Sequence, residues 1–84
     1  MMYNLIYHLM TEFNLEKAKN GAKLITRSGK RARIVCYDRI DQVKNGIILA
    51  LICNDKLTWE RPVFYFKNGV QVDYEKSLDL FIDE

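Results

Sequence analysis

The sequence predicts a mainly β domain, and three observations predict it. Five runs rich in β-branched and aromatic residues follow one another along the chain, at positions 22–26, 32–37, 47–53, 58–66 and 70–74. Polar turn residues separate them: Ser28-Gly29, Asn45-Gly46, Asn54-Asp55 and Asn68-Gly69. These connections are too short for the crossover of about a dozen residues that a parallel pair needs, so neighbouring strands are antiparallel.

The elements follow in order. Residues 1–12 read as an N-terminal extension, with Met10 as an alternative start, and residues 13–84 as one small β domain. Within the extension, Leu5, Ile6, Tyr7 and Leu9 suit a short strand or a turn of helix on the core. At "FNLEKAKNG", Asn14 is an N-cap, Glu16 places an anion in the first turn, and Asn20-Gly21 supplies the stop. Phe13 and Ala18 then occupy the staple positions of a short helix over about residues 15–20.

The first hairpin closes over Arg27-Ser28-Gly29, with Gly29 left-handed and Thr26 opposite Lys30. That register puts Ala22, Leu24, Ala32, Ile34 and Cys36 on a core face, and Lys23, Ile25, Arg31, Arg33, Val35 and Tyr37 on the other. The run "GIILALIC" has no polar face and is predicted to be the central strand. Pro62 cannot donate to a ladder, which puts an edge or a bulge in the fourth strand. A last run, Leu78 to Ile82, suits an edge strand. The predicted architecture is an antiparallel meander of five or six strands curled into a small SH3-like barrel or half-barrel, with one short N-terminal helix.

Composition narrows the function. At 84 residues, 49% hydrophobic and 29% charged, the chain is an ordinary small globular domain. Its net charge of +2 is uneven: residues 1–44 carry nine Lys and Arg against four acids, and residues 45–84 carry four against seven. No stretch reaches the roughly 20 apolar residues of a membrane span, and "MMYNLIYHLM" lacks the basic start and cleavage site of a signal peptide. Cys36 and Cys53, both in apolar runs, are expected to be reduced and unligated, which fits a cytoplasmic protein.

No catalytic residue, cofactor or metal is expected. The single histidine, His8, lies in the extension, and neither cysteine has a further histidine as its base. Asp38 and Asp41 flank Arg39, with Lys44 close by, which reads as a charge-balanced loop. No glycine-rich phosphate loop is present.

Two binding surfaces remain. Lys23, Arg31, Arg33 and Tyr37, extended by Arg27 and Lys30 at the hairpin tip, interleave cations with an aromatic as a nucleic-acid contact would, and also as a solvated, edge-protecting hairpin with acidic partners in the second half would. Trp59, Arg61, Tyr65 and Tyr74 have the residue types that dominate protein interfaces, and the aromatics among them equally suit the filling of a small barrel. A protein partner or self-association is favoured over nucleic acid, because +2 is low for a dedicated nucleic-acid protein.

Phe13, Leu15, Glu16, Ala18, Gly21, Thr26, Arg27, Gly29, Ala32, Arg33 and Ile34 form an "F-x-L-E-K-A … G … T-R-x-G-x-x-A-R-I" opening. It resembles that of a family of small uncharacterised proteins from phages and other mobile elements of gut bacteria. The resemblance implies genomic company and carries over no catalytic residue.

Overall fold

A computed structural model describes residues 10–40 and 45–84. The expectations for Leu5, Ile6, Tyr7, His8, Leu9, Asp41 and Lys44 lie outside the described residues. Strands β1 (Met10–Glu12), β2 (Leu24–Thr26), β3 (Arg31–Cys36), β4 (Ile48–Cys53), β5 (Glu60–Tyr65) and β6 (Leu80–Asp83) form one sheet in the order β1-β6-β2-β3-β4-β5. Helix α1 (Leu15–Lys19) and a 3₁₀ turn (Lys76–Leu78) complete the elements.

Helix α1 forms where its end signals put it. The Asn14 side chain accepts from the Lys17 amide at 2.9 Å. At the other end the Gly21 amide donates to Ala18 and the Ala22 amide to Lys17, with Gly21 at φ +93°, which is a Schellman stop. Phe13 packs with Ala18, Leu24 and Ile82 as one core cluster. The first hairpin has the three-residue register: Thr26 donates to the Lys30 carbonyl at 2.9 Å, Gly29 sits at φ +90°, and Leu24 pairs with Ala32.

Only β2 to β5 form a meander. The last strand, expected at an edge, is inserted between β1 and β2 and pairs with both. Met10–Glu12, within the stretch read as an extension, supply the edge strand beyond it. The sheet is open, not a closed barrel, because its two edge strands β1 and β5 do not pair with each other. Strand β4 is interior but not central, one place in from the β5 edge. Its inner residues Ile48, Ala50 and Ile52 are buried, whereas Leu49, Leu51 and Cys53 on the outer face are half-buried. Pro62 lies on β5, at the edge.

Val70 to Tyr74 form no strand. After one bridge between Tyr65 and Gln71, the Gln71 side chain accepts from the Asp73 and Glu75 amides at 2.9 and 3.0 Å. These local bonds compete with a ladder and turn the chain away. It then passes through the 3₁₀ turn, where Leu78 joins Ile48, Ala50, Ile52, Val63, Tyr65 and Leu80 in the larger core cluster.

A second departure concerns strand β3. Ile34 faces Ala50, but Cys36 faces Leu49, so a bulge shifts the register between them. One extra residue moves every later side chain to the opposite face. Cys36 therefore leaves the core face predicted for it, and Tyr37 leaves the cationic face. Cys36 and Cys53 are both free and half-buried. They lie four positions apart along the β4 register, about 13 Å, beyond disulfide reach.

Candidate functional site

The hairpin's cations are dispersed and largely neutralised. Lys23, Arg31 and Arg33 are exposed, and strand alternation puts them on the outer face. Arg33 donates two 2.8 Å bonds to the Glu60 carboxylate. These bonds, with the adjacent positive charge, hold the Glu60 carboxyl below its ordinary range. The Arg33 guanidinium is correspondingly raised. Arg27 donates to the Lys76 carbonyl at 3.1 Å and to Asp79 at 3.4 Å, and lies 4.8 Å from the Phe81 ring centroid. Lys30 bonds Asp55 at 3.1 Å.

Tyr37 belongs to another surface. Past the bulge its hydroxyl donates to the Ala18 carbonyl at 3.3 Å, and Lys19 lies 5.7 Å from its ring. The aromatic is thus engaged by helix α1. Among the described residues, Lys23 and Arg31 are the hairpin cations without an acid partner.

The aromatic residues separate as well. Tyr65 is 0% exposed and its hydroxyl donates to the Leu78 carbonyl at 2.7 Å, so it is a core residue and not a surface one. Burial pushes its phenol upward from the ordinary value. Tyr74, 68% exposed at φ +62°, lies 5.9 Å from the Phe66 ring. Trp59, 58% exposed, is seven residues from Phe66 along an extended chain, about 20 Å away. The three aromatics do not form one patch.

Trp59 stands at a corner of the sheet built by the β4–β5 turn. Asn54 organises that turn: its side-chain oxygen Oδ1 accepts from the Thr58 amide at 2.8 Å and the Trp59 amide at 3.0 Å, and its side-chain Nδ2 donates to the Thr58 hydroxyl at 2.9 Å. Leu57 is held at φ +58°, a conformation costly for a branched side chain, and is 53% exposed. Ala32, Ile52 and Arg61 are register partners and share the inner face, and alternation puts Trp59 on Arg61's side. A groove of about 330 Å³ lies there, walled by Lys30, Ile52, Asp55, Lys56, Trp59 and Arg61. On the other side a groove of about 310 Å³ is bounded by Arg31, Arg33, Leu57 and Glu60.

Of the sequence-predicted residues, the corner unites Trp59, Arg61 and Lys30. It adds Lys56 and the Asn54 scaffold, which sequence reasoning missed. The signal was the spacing in "NDKLTWER": a turn-forming Asn five residues before a Trp, with a Lys between them. Among the described residues no group of three or more His, Cys, Asp or Glu is placed to hold a metal ion. Among them, no helix is long and apolar enough to cross a membrane.

Residues 10–82 match the family model described as Haemophilus phage HP1 protein YO09. No curated protein and no solved structure matches the chain.

Proposed function

The chain belongs to the Haemophilus phage HP1 protein YO09 family, and from that premise we propose that it is a non-enzymatic binding module that docks a protein partner at the Trp59 corner. One observation carries the reading: a tryptophan 58% exposed on a turn pinned by the Asn54 side chain, above a groove. Trp and Arg are the commonest interface anchors, and a turn whose backbone is fixed before binding loses less entropy on docking. The partner is a host factor met in the cytoplasm, and the chain's opening from Phe13 to Ile34 is the signature it shares with other small mobile-element proteins.

Two competing uses of the surface have less support. A nucleic-acid track along the hairpin would need its cations free, yet Arg27, Lys30 and Arg33 already face Asp79, Asp55 and Glu60. Self-association through edge strands meets a similar obstacle. On β5 the Phe64 carbonyl accepts from Val72 on the side away from β4, so Pro62, two residues earlier, puts its missing N–H on that open side.

The test is co-purification from the native bacterial host, with the bound protein quantified for the wild type, Trp59→Ala and the double variant Lys23→Glu/Arg31→Glu. Trp59→Ala is expected to lose the partner tenfold or more while its stability moves by at most about 1 kcal/mol, since the ring is largely solvated. The double variant is expected to keep the partner. Retention by Trp59→Ala and loss by the hairpin variant would reverse the assignment.

A further inference from the structure

We infer that the occupant of the Trp59 groove is a short acidic peptide segment carrying an apolar or aromatic side chain. This rests on the reading of the corner as a protein-docking site and names the partner's chemistry. Three cations wall the groove, Lys30, Lys56 and Arg61, against one acid, Asp55. Asp55 is satisfied by Lys30 at 3.1 Å. Lys56 and Arg61 are exposed and have no acid partner among the described residues, so the groove presents two uncompensated positive charges beside an indole.

That combination selects its ligand. A carboxylate within reach of Arg61 gains paired charge-assisted hydrogen bonds, and the neighbouring Trp59 lowers the local dielectric that would otherwise screen them. The apolar surface of Trp59 gains only if the ligand covers it, so acid alone is an incomplete match. At about 330 Å³ the groove takes a few side chains, not a long strand of backbone. With Pro62 interrupting the open edge, recognition falls to side chains in place of an added strand.

A nucleic acid fits less well. Successive phosphates need a continued line of free cations, and in this groove the line stops at Lys56 and Arg61, because Lys30 already pairs with Asp55. One exposed indole offers stacking for one base, without a second platform beside it.

The experiment is selection of a random dodecapeptide display library on the immobilised full chain, followed by titration of synthesised winners. Trp59 is the sole tryptophan, so its emission reports binding at the corner directly. The expected winners combine Asp or Glu with an apolar side chain and shift Trp59 emission. They should lose affinity as salt rises, and tenfold or more in Lys56→Glu and Arg61→Glu chains that keep wild-type thermal midpoints. Winners that lack acids but depend on Trp59 would overturn the acidic assignment and leave the docking site standing. An absence of any Trp59-dependent winner would remove both. A thymidine dodecamer that quenches Trp59 more tightly than the winners at physiological salt would overturn the peptide in favour of single-stranded nucleic acid.

Discussion

Tyr65→Ala is expected to lower stability by about 3–5 kcal/mol, a large part of what an 84-residue domain has. Among the described residues Tyr65 is the largest of the fully buried side chains, and it packs with Ile48, Ile52, Val63, Leu78 and Leu80. Its ring ties the edge strand β5 to the crossing segment through the 2.7 Å bond to Leu78. Tyr65→Phe keeps the ring and removes that bond, so it should cost about 1–2 kcal/mol by leaving a buried carbonyl unsatisfied. The hydroxyl also links stability to pH. Burial raises its folded-state pKa, so its contribution is complete below the unfolded value of about 10 and is lost as pH rises beyond it. Tyr65→Phe should flatten that alkaline decline. Urea unfolding of the two variants across pH checks all three statements, and a Tyr65→Ala cost below about 1 kcal/mol would contradict the packing described.

Gly69→Ala should be nearly as damaging, at about 2–4 kcal/mol. Gly69 lies at φ +86°, and a Cβ built there would meet the Phe13 Cβ and Cγ at 2.7 Å. The left-handed backbone alone costs an L-residue about 1–2 kcal/mol, and displacing Phe13 disturbs a residue shared by both core clusters. Gly29→Ala is the internal control. Its φ of +90° is similar, but nothing lies within 4 Å of the added Cβ. Denaturation midpoints should place Gly69→Ala well below Gly29→Ala, and equal values would show that Phe13 yields without cost.

Local signals in the sequence were accurate because the physics behind them is local. Asn14 and Gly21 delimit the helix through bonds to residues at most five positions away, and Gly29 sets the hairpin register through its own backbone conformation. The position of β6 was not legible. Its alternation marks a strand, but its pairing with Leu24 to Thr26 closes a loop of more than fifty residues, and no local residue pattern names a partner that distant. Nor does "RIVCY" show its bulge, since every residue after the Arg is apolar or aromatic and a slipped register reads the same.

Strand β5 is the most instructive case for the site. Trp59, Arg61, Val63 and Tyr65 fall on one alternating face, yet Val63 and Tyr65 are core and Trp59 and Arg61 are exposed. Strand alternation puts the four on one face. Where the core ends along it depends on how far the segment around Leu78 reaches across the sheet, which is a property of the assembled fold.

The central claim, that the Trp59 corner is where a protein docks, is tested most directly by site-specific photo-crosslinking. A benzoyl-phenylalanine at position 59 of the full chain, irradiated in the native host, should yield one discrete protein adduct, and the same probe at exposed Glu16 on helix α1 should yield none. Adducts to nucleic acid from position 59, or a protein adduct from position 31 with none from 59, would contradict it.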